Sequence, residues 1–188
     1  PSVDLMVQCL IDALAEPVMA GTRVFVGTME GYVYALRLGA APGASGPLLW
    51  NFRAQGAVNT SVAVAAGRVY FGSNGGVLYA LSAETGEMLW QRAVAPLVPG
   101  ARKFFSTVLV AGDRLYVDAA NRRIYCLDAN DGALRWESAV SDWVRARPVL
   151  TQGRHHPEIQ GDLLRTQYPL RHLVQLVRHP RGGHRARG

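Results

Sequence analysis

Two residues in this chain have the chemistry of a nucleophile or a soft metal ligand, Cys9 and Cys126, and they form neither a CxxC motif nor an adjacent pair. Without such spacing neither a zinc site nor a disulfide framework is signalled, and the redox compartment stays open. A thiol nucleophile wants a histidine beside it. All five histidines, His155, His156, His172, His179 and His184, lie beyond Arg154. His155-His156 has no carboxylate or cysteine at ligand spacing and sits in an arginine-rich segment that repels cations, so no metal site is read there. Glu84, Glu87, Asp128 and Asp131 fall in turn-like contexts, where a solvated surface and not an acid–base pair is the expected role. No catalytic residue is assigned. What is left for binding is polar side chains at the start of otherwise apolar strands. These are Asn59, Ser61, Ser106, Thr107, Arg145 and Arg147, with Thr60 beside them. They either line a ligand site or satisfy backbone groups in a crowded place.

The elements that must position these residues repeat. VYALRLGAAPGASGPLLW ends at Trp50, VLYALSAETGEMLW at Trp90 and IYCLDANDGALRW at Trp136, and the tyrosines Tyr34, Tyr79 and Tyr125 are spaced 45 and 46 apart. RVFVGT, RVYFGS and RLYVDA precede them, and Phe25 to Tyr34, Tyr70 to Tyr79 and Tyr116 to Tyr125 each span nine residues. Within one period SVAVA, RVYFGS, GVLYALS and EMLWQRA are rich in β-branched and aromatic residues and read as four short strands. Met29-Glu30-Gly31, Asn74-Gly75-Gly76 and Ala120-Asn121-Arg122 join the two middle strands. Such hairpins need a residue tolerant of positive φ, and Asn121 is the expected one in the third unit, which lacks glycine. Apolar residues occupy both faces of the middle strands, which implies a sheet buried on both sides. A four-stranded sheet recurring about every 45 residues between its neighbours describes a propeller blade.

The expected fold is therefore all-β: propeller blades of four antiparallel strands, three blades and the start of a fourth, a partial propeller. The blades span about 16–56, 57–102 and 103–145, and the fourth begins at 146–153. Residues 1–15 are a cap or the remnant of a preceding blade. Ala15, Ser61, Ser106 and Arg147, each six residues before the glycine that ends a first strand, are placed at equivalent positions near the axis. Cys126 takes the place of Ala35 and Ala80, which calls for a small buried side chain. The regular recurrence of Trp50, Trp90 and Trp136 makes them core residues and not ligand-stacking aromatics.

Ala80 to Trp90 and Cys126 to Trp136 resemble the tryptophan-docking motif of pyrroloquinoline-quinone-type (PQQ-like) propeller repeats, a likeness that extends over residues 16–153. The resemblance implies that each Trp packs against the neighbouring blade. It also implies that Gly86, Gly132 and Asp128 build the strand-connecting turn, with Ser82 replacing the usual Asp. It further suggests an extracytoplasmic or periplasmic location. Quinoprotein dehydrogenases of this family add adjacent cysteines, a calcium site of Glu, Asn and Asp, and a general-base Asp. No Cys-Cys occurs here. The expected function is thus a non-catalytic module that binds a protein or a small ligand. The alternative is a fragment of a PQQ-dependent alcohol or sugar dehydrogenase, the only reading in which quinone and calcium are expected.

The formal charge of +6 and pI near 9.8 raise nucleic acid as a partner, but the charge is unevenly placed. Residues 1–153 hold 13 Arg or Lys against 12 Asp or Glu, and residues 154–188 hold 7 against 2. The basicity belongs to a His/Arg-rich tail, expected to lie outside the propeller, and nucleic acid is not expected as a partner. The tail reads either as the product of a shifted reading frame or as a genuine basic segment, with Leu170–His179 as a short amphipathic helix. No apolar run reaches the roughly 18 residues of a spanning helix. Three blades do not close a ring, so the chain is expected to be part of a longer propeller or to self-associate through open edges. Those edges are expected to expose an apolar blade face.

Overall fold

A computed structural model describes residues 15–39, 47–94, 108–119, 123–139, 148–151 and 163–166; for Ala119, Ala139 and the last two ranges it describes the backbone. Three four-stranded antiparallel sheets follow one another in simple meander order. The first contains β1 (Val18–Ala20), β2 (Arg23–Gly27), β3 (Tyr32–Arg37) and β4 (Leu48–Arg53). The second contains β5 (Ala63–Ala65), β6 (Arg68–Gly72), β7 (Val77–Ser82) and β8 (Met88–Ala93). The third contains β9 (Leu109–Ala111), β10 (Arg114–Ala119), β11 (Arg123–Asp128) and β12 (Leu134–Ala139). Meander order follows from connections too short for a crossover. The first strands neighbour one another in turn, β1 by β5 and β5 by β9, as the inner strands of a propeller do.

Both-face burial is what fuses the sheets. Phe25, Val33, Ala35 and Trp50 of blade one meet Val69, Phe71, Tyr79 and Leu81 of blade two in one core. Tyr70, Leu78 and Ala80, on the opposite face of blade two, meet Leu115, Val117, Tyr125 and Leu127 of blade three in a second. Alternation along a strand sends successive side chains to opposite blades, so a continuous apolar run serves two cores. Each fully buried side chain of this size contributes roughly 1.5–3 kcal/mol. Bulges at the same place in each blade, Ala35/Leu36, Ala80/Leu81 and Cys126/Leu127, adjust the third strand to the fourth.

Two expectations need amending. The outward faces of the end blades are not open apolar surfaces. Val26 and Leu36 of blade one are 1% exposed, and Tyr116 and Cys126 of blade three are 1% and 0% exposed. Strand pairing also continues past Arg154, into the tail expected to lie outside the propeller. β13 (Pro148–Thr151) pairs with β14 (Leu163–Thr166) in a two-stranded antiparallel sheet, and β13 neighbours β9. The short run Leu163-Leu164-Arg165-Thr166 supplies that pairing strand. In both described middle hairpins the positive φ falls on the third turn residue, Gly31 (88°) and Gly76 (81°). The turn containing Asn121 lies outside the described residues, as do residues 1–14.

Candidate functional site

The chemistry-bearing side chains collect in two places, the joints between blades and the entry to the inner strands. At the first joint the Trp50 indole lies over the β7–β8 turn of blade two, and its Nε1 donates to the Ala83 carbonyl at 3.3 Å. At the second, Trp90 Nε1 donates to the Ala129 carbonyl at 3.2 Å. Each ring sits where a side chain would otherwise be. A Cβ on Gly86 would come 2.6 Å from Trp50 Cδ2, and one on Gly132 would come 2.7 Å from Trp90 Cε3. Both glycines also have positive φ, 76° and 71°, so space and conformation both require them. Behind each ring stands an aromatic from the second strand of the same blade. Phe25 is 5.8 Å from Trp50, Tyr70 is 6.1 Å from Trp90 and Tyr116 is 6.1 Å from Trp136, all tilted.

Two residues of the second joint escaped the sequence reading. The Ala129 carbonyl also accepts from Tyr70 Oη at 3.1 Å and Arg68 Nη1 at 3.0 Å, and Arg68 continues to Asn130 Oδ1 at 2.9 Å. The Arg-x-Tyr of RVYFGS was the available signal, because blade one has Phe25 there and no hydroxyl. Trp136 differs from its counterparts. Like Trp90 it is half-buried, but among the described residues nothing accepts from its Nε1.

The turns beneath the rings are held by their first residue. Asp128 Oδ1 accepts from the Asn130 N–H at 2.8 Å, and in blade two the Ser82 hydroxyl accepts from the N–H groups of Glu84 and Thr85 at 3.3 and 3.2 Å. Serine thus does the work of the aspartate it replaces. Asp128 also pairs with Arg135 at 2.6 Å, and Arg135 reaches Asp113 at 2.6 Å. The Asn130 N–H, and after it Arg135, hold the Asp128 carboxyl below the usual carboxylate value. That is opposite to what a general base near neutrality needs. Asp131 accepts from the Ala133 N–H at 2.8 Å, and Glu87 accepts from Thr85 Oγ1 at 3.2 Å. Cys126 is fully buried beside Tyr116 and Ile124 and serves as core.

The second place is the connection from β4 to β5, which crosses the ends of the middle hairpins. Its backbone bonds to both blades. Ala54 N–H donates to Gly31, Val58 N–H donates to Thr28, and the Ala57 carbonyl accepts from Asn74 N–H, all at 2.8–2.9 Å. Ser73 Oγ donates to the Gln55 carbonyl at 2.8 Å, and the Gln55 N–H donates to Tyr79 Oη at 3.1 Å. The approach is so close that a Cβ on Gly75 would meet Gln55 O and one on Gly31 would meet Gly56 O at 2.7 Å. Gly27 leaves room for Val58, 2.6 Å from its would-be Cβ. Blade three places Asp118 at the corresponding position, buried at 7% exposure, which the repeat alone did not flag.

This connection delivers Asn59, Thr60 and Ser61 to the start of β5. Ser61 is 7% exposed. Asn59 Oδ1 and Thr60 Oγ1 are buried and have no hydrogen-bond partner among the described residues. The equivalence drawn by counting from glycine shifts by one in blade two. Pairing sets Val18, Ala63 and Leu109 opposite Phe25, Tyr70 and Tyr116. Counted from these, Ser61 corresponds to Glu16 and Thr107, and Thr60 to Ala15 and Ser106. The cause is turn chemistry. Gly21 (φ 62°) and Gly112 (φ 60°) come first in their two-residue turns, whereas Gly67 (φ 73°) comes second, behind Ala66 at φ 49°. Ser106, Thr107, Arg145 and Arg147 lie outside the described residues.

Among the described residues no three of His, Cys, Asp and Glu gather as a metal site, and the one described cysteine is buried in the core. No step is derived through either calcium or quinone. Among the same residues no helix is long and apolar enough to cross a membrane.

A family model described as outer membrane protein assembly factor BamB matches residues 10–111 and 101–161. No curated protein matches the chain. Among solved structures, BamB from Moraxella catarrhalis is similar with a TM-score of 0.59 at 19% identity, over 74% of this chain and 41% of its own. A europium-containing methanol dehydrogenase gives 0.54 at 25% identity, over 66% and 24%. The computationally designed Ika4 protein gives 0.53 at 18% identity, over 66% and 71%. The chain spans less than two thirds of the length of the BamB and dehydrogenase chains. The BamB and Ika4 likenesses speak for the fold alone.

Proposed function

Because the chain belongs to the outer membrane protein assembly factor BamB family, a family of PQQ-like repeats, we propose that it is a non-catalytic propeller module that binds protein, part of a longer propeller. The observation that carries this reading is the employment of the reactive side chains. Asp128 caps a turn and pairs with Arg135, Asp131 and Glu87 fix their own turns, and Cys126 fills core. Each tryptophan of the two complete joints is spent on the next blade's carbonyl and glycine. A scaffold of this kind offers rigid loops and connections at the two ends of the blades, where propellers present what they bind.

The quinoprotein reading is separated by assay. Purified chain supplied with pyrroloquinoline quinone and calcium is expected to give no dye-linked oxidation of ethanol or glucose above the dye-only rate. Sustained turnover, lost on chelation of calcium, would move the chain to the dehydrogenases.

A further inference from the structure

We infer that Asn74 is a covalent modification site: the Asn74-Gly75 pair deamidates spontaneously, and the folded hairpin holds the reaction back until the β4–β5 connection opens. The inference goes beyond the protein-binding reading and does not depend on it. Asn74 is the only asparagine of the chain that is followed by glycine. Asparagine is among the thermally labile residues, most of all before glycine, whose nitrogen no side chain shields. The reaction needs water alone. The Gly75 nitrogen bonds to Asn74 Cγ, its proton leaves with the side-chain amide as ammonia, and a succinimide ring forms. Water then opens one of the two ring carbonyls. One opening gives aspartate, and the other gives isoaspartate, in which the main chain runs through Cβ.

Ring closure requires a rotation about the Asn74 Cα–C bond that swings the Gly75 nitrogen onto Cγ. The fold opposes that rotation. Gly76 N–H donates to the Ser73 carbonyl at 2.9 Å, neither Asn74 nor Gly75 has a positive φ, and Gly76 follows at 81°. This is a type I turn with a left-handed residue behind it, which keeps the Asn74 Cα–C bond in the helical range. Asn74 N–H is tied across to the Ala57 carbonyl at 2.8 Å. Gly75 has no room to swing, since a Cβ on it would meet Gln55 O and a Cβ on Gly56 would stand 2.9 Å from its nitrogen. Both residues of the pair are only half-buried, so water reaches them. Isoaspartate does not fit back, because it adds a main-chain atom to a turn already pressed against residues 55 and 56. Deamidation therefore marks each chain whose connection has opened.

The test keeps the full chain in mildly alkaline buffer, folded and in guanidinium chloride. Conversion at Asn74 is read by peptide mapping with mass spectrometry that tells isoaspartate from aspartate. It should be at least about tenfold slower in the folded chain, where it waits on local opening. Ser73→Ala, which removes the hydroxyl bond to the Gln55 carbonyl, should raise the folded rate severalfold and leave the unfolded rate unchanged. The isoaspartate form, isolated by chromatography, should melt below Asn74→Asp, which has the new charge without the extra main-chain atom. Equal rates in the folded and unfolded wild type overturn the inference, and this comparison decides even if Ser73→Ala does not fold. So does a folded Ser73→Ala that converts no faster than wild type, or an isoaspartate form as stable as Asn74→Asp.

Discussion

Replacing Gly132 with alanine should damage the second joint by an amount that can be divided into parts. At φ 71° an alanine takes on left-handed strain of about 1–2 kcal/mol. Its Cβ would also stand 2.7 Å from Trp90 Cε3 and 2.9 Å from Cζ3, well inside contact distance, so the ring must lift from the turn. Overpacking of that kind costs about 1–3 kcal/mol. The sum, about 2–5 kcal/mol, is large beside a typical domain stability of roughly 5–15 kcal/mol. Gly67 provides the control, with φ 73° and nothing within 4 Å of its would-be Cβ. Gly67→Ala should show the strain alone. Urea unfolding at unchanged m-value measures both, and a cycle with Trp90→Ala isolates the contact. With the ring gone, Gly132→Ala should cost no more than Gly67→Ala, a coupling of about 1–3 kcal/mol. Equal costs for the two glycines in the intact protein, or a Gly132 cost indifferent to Trp90, would refute the joint.

Asp128 gives a pH signature. Its carboxyl is held below the ordinary value of 3.8 in the fold, first by the Asn130 N–H and then by Arg135, so the ionised form favours folding. That contribution is complete above the unfolded carboxylate value and is lost as pH falls through the lower folded value. Asp128→Asn should therefore flatten the acid side of the stability profile, and carboxyl NMR of the wild type should titrate below 3.8; a midpoint above it contradicts the turn geometry. Cys126, with 0% exposure and standing where the repeats place Ala35 and Ala80, should resist thiol reagents until the chain unfolds. Cys126→Ala should cost about 1 kcal/mol or less and Cys126→Leu about 1–3 kcal/mol. Labelling of Cys126 in the native protein, mapped by mass spectrometry, would show that the site is not core.

The sheets were legible in the sequence because three-residue hairpins hold the second and third strands in one register, which the nine-residue spacing from Phe25 to Tyr34 records. The joints were legible as repeating Trp and Gly. Their acceptors were not, since Ala83 and Ala129 offer main-chain oxygens and carry no side-chain signal. Alignment of the inner strands slipped at Ser61 because a two-residue turn can place its glycine first, as Gly21 does, or second, as Gly67 does. Asp118 in the Gly27 position went unremarked for a related reason. The sequence shows the substitution, and only the path of Val58 across Gly27 shows what the glycine was for. Asn59 and Thr60 were candidates by polarity, but that two of their oxygens lack partners is a property of neighbours distant in sequence.

The claim at the centre of the account is that Trp50 and Trp90 are fasteners, each engaged by the blade that follows. Hydrogen exchange at the indole N–H groups, followed by NMR, reads this directly. Trp50 and Trp90, bonded to Ala83 and Ala129, should exchange slowly, and Trp136, whose Nε1 has no acceptor among the described residues, should exchange quickly. Equal rates at the three indoles, or fast exchange at Trp50 and Trp90, would contradict it.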